Sequence, residues 1–390
     1  MPQGSRCLPL LRVLLIWLSA SVVLTGAGGC QAFGQTKIVH ILGWSDYIDP
    51  RVFESFWTET GIKATYDSFS SEDALEKELS AVNEFDVAIV PARLLQSEIV
   101  AGRLQKFDKG RLSNSANLWP EIVALAAAYD PGNQYAIPYM WFTAGFAYNA
   151  ADVREISGNA PAGATSDASA APGAPSPFDS WAMLFRPENL KKFSSCGVEV
   201  FDSPNDLFPI ALRYLGLNPT SVRPSDIKHA ADLLSSIRRS IKKFEPAGYA
   251  DALVDGDICV AIGSSLEGLQ ARERARAAAN GIDIGYAIPK EGAPAFLDTL
   301  VIPKNAQHPD EAYALIDFLL RPRVAAANSN YAHLANSVLA SKPLIDKNIS
   351  SNPSVYPDAT VMQRLFAPRN YDGPTQKIID REWERVKSGK

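Results

Sequence analysis

The chain has 390 residues, of which 46% are hydrophobic and 21% are charged, and its formal net charge is −5. This composition is typical of a globular protein with a large core, and the length is enough for two or three domain-sized units. The small excess of acidic residues argues against a nucleic-acid-binding protein, whose contact surface is normally basic.

The first 30 residues have the three-part pattern of a secretory signal. Arg6 and Arg12 precede an apolar run at 13–25, and small residues follow up to Cys30. The run is short for a membrane span, so a signal peptide over 1–30 is favoured over an uncleaved anchor helix. We therefore expect an exported protein that resides in the periplasm.

The end of this signal indicates how it is processed. Ala27-Gly28-Gly29-Cys30 resembles a bacterial lipobox, in which small residues precede a cysteine that becomes lipidated. Lipidation of Cys30 would attach the protein to the membrane through a lipid anchor alone. The competing interpretation is ordinary cleavage that releases a free periplasmic protein.

Short apolar strands alternate with amphipathic helices from residue 37 onward. Strands are predicted at 37–42, 63–66 and 87–90, with helices at 52–60 and 73–81. This alternation predicts a parallel sheet with helices on both faces.

The segment 158–177 interrupts the pattern. Alanine, glycine, proline and serine make up 17 of its 20 residues, and it has no large apolar side chain. Such a composition cannot bury enough surface to offset the entropy of ordering. We interpret it as a flexible surface insertion within the second lobe.

The strand–helix alternation returns after this insertion, which predicts an α/β protein with two lobes and a ligand cleft between them. Strands are predicted at 198–201, 259–262 and 299–302, and helices at 207–215, 230–240 and 266–279. We assign 37–141 and 296–340 to lobe 1, and 142–295 and 341–390 to lobe 2.

Two cysteines remain after the signal region, Cys196 and Cys259. An even pair in an oxidising compartment favours a disulfide, with two buried free thiols as the alternative. The sequence has no CxxC motif and no Cys/His cluster, so neither a metal site nor redox catalysis is indicated.

Sequence patterns typical of enzymes are missing. There is no GxGxxG or Walker motif, and the segment 263–267 departs from the GxSxG pattern because Glu267 occupies the place of the second glycine. We therefore predict a protein that is not an enzyme and needs no cofactor.

Acidic and aromatic residues occur together at predicted strand ends. The segment 43–47 (GWSDY) follows the first strand, and 295–298 (AFLD) is expected to precede the strand at 299–302. Asp206 and Glu267 stand at predicted helix starts. Carboxylates and aromatic faces together favour an ammonium group. The alternative is that the acids cap helices and the aromatic residues belong to the core.

Several ordered segments are similar to the periplasmic putrescine- and spermidine-binding proteins of bacterial polyamine ABC transporters, above all to the putrescine-binding branch. The resemblance covers the chain after the signal, apart from 158–177. The matching segments are 44–48 (WSDYI), 59–63 (ETGIK), 137–141 (IPYMW), 186–190 (RPENL), 195–198 (SCGV), 256–263 (GDICVAIG), 288–293 (IPKEGA) and 386–390 (VKSGK).

The resemblance implies a type II, two-lobe periplasmic-binding-protein fold that closes on its ligand and docks on a permease. It also implies a disulfide between Cys196 and Cys259. One wall of the cleft would consist of Trp44, Ser45, Asp46 and Tyr47. Phe296 would stack on the ligand, and the acids that bind ammonium would be Asp298, Asp206 and Glu267.

Three positions depart from the family pattern and are predicted to set specificity. Ser264 replaces a tryptophan, Leu334 replaces a tyrosine, and Ala92 replaces a hydroxyl residue. Loss of an aromatic wall weakens the apolar contact with a flexible methylene chain.

We therefore predict a monomeric receptor for a di- or polyamine, which it delivers to an ABC permease. Asp46 and Asp298 would hold one ammonium, and Glu267 with Asp206 would hold another. One alternative is a sensor of the same fold that docks on a membrane signalling protein. Another is transport of agmatine, cadaverine or an amino-acid-like compound. A carboxylate-bearing ligand is disfavoured because none of the matched cleft positions is lysine or arginine.

Overall fold

The structure, a computed structural model, describes residues 36–81, 85–157, 178–246 and 248–389. The predicted signal peptide at 1–30, its Cys30 and the predicted insertion at 158–177 lie outside the described residues.

The strands and helices of the described part confirm the predicted alternation and extend it. The strands are β1 Lys37–Trp44, β2 Ile62–Phe69, β3 Val87–Pro91, β4 Ile137–Asn149, β5 Val198–Phe201, β6 Lys243–Glu245, β7 Val260–Ser264, β8 Ile284–Ala287, β9 Ala295–Val301 and β10 Ala335–Asn336. The helices are α1 Pro50–Thr60, α2 Glu72–Ser80, α3 Leu95–Val100, α4 Pro120–Ala126, α5 Ala150–Ser157, α6 Ala182–Phe185, α7 Pro187–Leu190, α8 Pro204–Tyr214, α9 Pro224–Ile237, α10 Tyr249–Val254, α11 Ser265–Ala278, α12 Pro309–Leu319, α13 Pro322–Ala332, α14 Lys347–Ser350, α15 Ala359–Met362 and α16 Gly373–Ser388.

The strands form one sheet in the order β2-β1-β3-β9-β4-β7-β5-β6, and β8 and β10 also pair with β4. The pairs among β1, β2 and β3 are parallel, and so are the pairs among β5, β6 and β7. The central strands β9 and β4 are antiparallel to their neighbours. The prediction of a parallel sheet was therefore wrong at the centre. Antiparallel pairs need no helical crossover, so strand–helix alternation predicts only the parallel pairs.

The expected start of the strand at 299–302 was also wrong. β9 already begins at Ala295, so Phe296 and Asp298 lie inside a strand and not in the loop before it. Two adjacent polar residues, Asp298 and Thr299, interrupt the apolar residues of this strand, and that hid its first part in the sequence pattern.

Apolar residues of the sheet pack on both of its faces. In β3 every residue is buried. Ala88 and Val90 belong to one core cluster, whereas Val87 and Ile89 belong to another. Successive side chains of a strand point to opposite faces, so helices cover both sides of β3.

The predicted disulfide between Cys196 and Cys259 is confirmed, with a Cα–Cα distance of 5.5 Å and a sequence separation of 63 residues. It joins the segments that lead into β5 and β7, which are adjacent parallel strands with Val198 opposite Val260. The bond therefore fixes the ends of two strands in the sheet.

None of the helices within the described ranges is long and apolar enough to cross a membrane.

We expect replacement of both Cys196 and Cys259 by alanine to lower the free energy of unfolding by about 4 kcal/mol. The cross-link closes a long loop and so removes conformational entropy from the unfolded chain. Urea unfolding would measure the change. A reducing agent should destabilise the wild type and leave the double variant unchanged, and equal urea midpoints for the two proteins would contradict the prediction.

Candidate functional site

The candidate site centres on a carboxylate in the middle of the sheet. Asp298 lies in β9, where it is opposite Pro91 of β3 and Met140 of β4, and only 3% of the residue is exposed. The parallel strands β1 and β3 end at Trp44 and Pro91, so their carboxyl ends adjoin this acid. This is the position where α/β sheets usually present ligand-binding residues.

A tyrosine holds the buried carboxylate. The Tyr47 hydroxyl donates a hydrogen bond to Asp298 Oδ2 at 2.9 Å, and the Tyr139 hydroxyl donates to the Tyr47 carbonyl at 3.1 Å. Burial raises the pKa of Asp298 to about 7, although the Tyr47 hydrogen bond opposes the shift. A carboxylate has about four acceptor positions, so this one retains capacity for a cationic donor.

Trp44 lies beside the same carboxylate. Its indole N–H lowers the Asp298 pKa but meets no hydrogen-bond partner among the described residues, although it is buried. The ring packs on Phe69 with a centroid distance of 4.4 Å. Gly43 allows this arrangement, because a Cβ there would overlap Tyr66, whose hydroxyl donates to the Trp44 carbonyl.

Phe296 supplies a second aromatic surface. It lies two residues before Asp298 on β9, so both side chains point to the same face of the sheet. Phe296 is half-buried and packs on Phe142 with a centroid distance of 5.3 Å. The acid therefore has an aromatic neighbour on its own strand.

Ser45 and Asp46 are exposed in the turn after β1. Asp46 has a φ of 60°, and its carboxylate accepts a hydrogen bond from the Tyr331 hydroxyl at 3.2 Å. Burial raises the pKa of Tyr66, and the charges of Asp298 and Asp46 raise it further. Both acids therefore act on one hydroxyl, which places them in the same electrostatic environment.

Asp206 lies in the first turn of α8 and accepts a hydrogen bond from the Ser203 hydroxyl at 2.6 Å. Burial raises its pKa, while Ser203 and the Arg93 guanidinium lower it. The same guanidinium lowers the pKa of Asp298. The positive charge of Arg93 therefore acts on both Asp206 and Asp298.

Glu267 has a different set of partners. Its carboxylate accepts hydrogen bonds from the backbone N–H groups of Gly248 at 2.5 Å and Ala250 at 3.4 Å, at the start of α10. Its own N–H donates to the Ser264 hydroxyl, which caps α11. Burial raises the Glu267 pKa, and the backbone N–H groups oppose that shift. No hydrogen bond between described residues joins Glu267 to Asp206.

The three predicted specificity positions occupy different surroundings. Ala92 is buried in the 3-10 turn Ala92–Leu94 after β3. Ser264 is the N-cap of α11. Leu334 is buried, and together with Leu266 it lines a cavity of about 350 Å³ between α11 and the end of α13.

Sequence reasoning missed four residues that surround the acids. Tyr66 and Tyr139 support Trp44 and Tyr47, and Arg93 forms an ion pair with Glu72 beside Asp298 and Asp206. Arg93 could have been found from the sequence, because it directly follows the predicted specificity position Ala92.

Comparison with known proteins gives consistent matches along nearly the whole chain. The profile of the family described as bacterial extracellular solute-binding protein matches residues 51–356. The chain is 40% identical to the putrescine-binding periplasmic protein PotF of Escherichia coli, over 96% of this chain and 98% of that protein. It is 36% identical to a putrescine/agmatine-binding protein of Pseudomonas aeruginosa, over 97% of this chain and 99% of that protein.

A solved structure with a similar fold is the spermidine/putrescine ABC transporter substrate-binding protein PotD from Streptococcus pneumoniae. Its TM-score is 0.77 at 24% sequence identity, and the match covers 90% of this chain and 99% of that chain.

The buried acid predicts a pH-dependent stability. The pKa of Asp298 is higher in the folded protein than in the unfolded chain, so protonation of this acid stabilises the fold. This contribution to the unfolding free energy is complete below about pH 4 and is lost as the pH rises to about 7. Relative to the wild type, the Asp298→Asn variant should therefore gain about 3 kcal/mol in unfolding free energy between pH 5 and pH 8. Urea unfolding of ligand-free protein would measure this, and a stability difference that does not change with pH would contradict it.

Proposed function

Because the chain belongs to the family of bacterial extracellular solute-binding proteins and has the α/β fold of type II periplasmic binding proteins, we propose that it captures a di- or polyamine outside the cytoplasm and delivers it to an ABC permease. In this role the protein binds and releases its cargo and carries out no reaction on it.

The observation that carries the proposal is the buried Asp298 carboxylate, which accepts a hydrogen bond from the Tyr47 hydroxyl. An ammonium group would donate charge-assisted hydrogen bonds to this acid and neutralise its charge in a dry setting. Trp44 and Phe296 would add apolar and cation–π contacts with the ligand. Relatives at 36–40% identity whose names specify putrescine support an amine as cargo.

We assign the ligand contacts as follows. Asp298 and Asp46 would hold one ammonium, with Trp44, Ser45, Tyr47 and Phe296 around it. Asp206 and Glu267 would attract the other cationic end, each from its own helix start. Ala92, Ser264 and Leu334 would set the length and shape of the cargo.

The binding cycle would use the two predicted lobes, 37–141 with 296–340 and 142–295 with 341–390. Asp298 belongs to the first lobe and Asp206 to the second, so a ligand that bridges them would favour the closed state by its higher affinity for that state. The closed monomer would then dock on the permease. The protein would work in the periplasm, either free or anchored through a lipid on Cys30.

Isothermal titration calorimetry on the exported protein tests this function. The protein would be stripped of ligand by unfolding and refolding, and then titrated with putrescine, cadaverine, spermidine, agmatine and 4-aminobutyrate. We expect micromolar or tighter binding of at least one of the amines. Absence of heat with every amine from a refolded, cooperatively unfolding sample would overturn the proposal.

Asp298→Asn is expected to abolish amine binding, because the amide keeps the shape of the side chain but loses its charge. Asp310→Asn is the matched control, since it makes the same change at an exposed acid that pairs with Arg111. Calorimetry should show wild-type affinity for the control. Unchanged affinity in Asp298→Asn would remove the proposed ammonium site.

Amine affinity should also rise with pH. Only the carboxylate form of Asp298 attracts an ammonium, and its pKa is about 7 in the ligand-free protein. The dissociation constant should therefore increase about tenfold for each unit below pH 7 and level off above it. Titrations between pH 5.5 and pH 8.5 would show this, and an affinity that stays constant over that range would argue against a proton on Asp298.

A further inference from the structure

A cation of the protein itself lies beside the proposed amine site. β3 ends at Pro91, opposite Asp298, and Arg93 follows two residues later in the turn Ala92–Leu94. Its guanidinium forms an ion pair with Glu72 at the start of α2. The Arg93 side chain is 59% exposed and that of Glu72 is 24% exposed, so the pair lies at the edge of the site.

The backbone of Arg93 contacts the segment that adjoins Asp206. The Asn370 side-chain amide donates a hydrogen bond to the Arg93 carbonyl. The next residue, Tyr371, has a buried hydroxyl without a hydrogen-bond partner among the described residues. Burial raises the pKa of Tyr371 to about 12, and Asp206 contributes to that shift. Arg93 therefore lies between the strand of Asp298 and the surroundings of Asp206.

The charge of Arg93 acts on both acids. The guanidinium lowers the pKa of Asp298 and of Asp206, whereas Glu72 raises both. A fixed positive charge here reduces the negative potential that a bound cation experiences. The repulsion is proportional to the charge of the ligand, so it disfavours a triamine more than a diamine and a diamine more than a monoamine.

We propose that Arg93 is a specificity-determining residue that shifts the cleft toward diamines and away from more highly charged polyamines. The inference rests on the proposed amine-binding function and adds the charge class of the cargo. Glu72 has the opposite effect, because it partly neutralises the guanidinium and adds a negative charge of its own.

Two variants with opposite charge changes test the proposal. Arg93→Gln should strengthen spermidine binding relative to putrescine by about two- to five-fold, and putrescine relative to butylamine by a similar factor. Glu72→Gln should shift both affinity ratios, spermidine to putrescine and putrescine to butylamine, in the opposite direction. If the ion pair served only to hold the turn in place, the two variants would change affinity in the same direction.

The control is Arg321→Gln, which removes an exposed guanidinium that pairs with Glu59 at 2.6 Å on α1. It removes one positive charge, as Arg93→Gln does, so it corrects for the long-range field of the whole protein. Calorimetry with butylamine, putrescine and spermidine would be run on the exported form of all four proteins. Urea unfolding would show that each variant is folded.

The outcomes separate the two proposals. Opposite shifts of the spermidine-to-putrescine ratio in Arg93→Gln and Glu72→Gln, with no shift in Arg321→Gln, would support the inference. Wild-type ratios in Arg93→Gln, or an equal change for all three amines, would overturn it and leave the proposed function intact. Absence of binding of every amine to the wild type would overturn the proposed function, and this inference with it.

Discussion

Burial of the Asp298 carboxylate is the constraint on which the rest of the site depends. A charged group in the centre of a sheet is costly unless donors surround it, and here Tyr47 provides one hydrogen bond while Trp44 directs an unpartnered N–H toward the same region. Tyr139 in turn fixes Tyr47 through its carbonyl. This buried acid is the group with which the proposed cationic ligand would pair.

The four acids of the candidate site have different hydrogen-bond partners and different exposure, so they are not equivalent. Glu267 receives backbone N–H groups at the start of a helix, and Asp206 has Ser203 and the nearby Arg93. Asp46 is exposed and bonded to Tyr331. Asp298 is the driest of these acids, and this is why it is the proposed anchor for an ammonium.

The mixed sheet explains why these residues meet. β4 and β9 lie antiparallel between two parallel groups of strands, and β9 places Asp298 next to the carboxyl end of β3. If β9 were parallel to β3, the carboxyl end of β9 would lie beside the carboxyl end of β3. The antiparallel strand instead presents the acid from its middle, where neighbouring strands on both sides keep water away.

The sequence by itself determined the strand–helix alternation and the acid–aromatic pairs at 44–47 and 296–298, and it favoured a disulfide between Cys196 and Cys259, because these depend on local periodicity, residue type and cysteine count. Only the tertiary structure decided that Asp298 lies within β9, that Glu267 caps α10, and that Arg93 adjoins two acids. Antiparallel pairing leaves no periodic trace in the chain, and neither do contacts between residues that are distant in sequence, such as Glu267 with Gly248, 19 positions away, or Asp298 with Tyr47, 251 positions away. Burial and electrostatic environment follow from those contacts, so they could not be predicted from the residues alone.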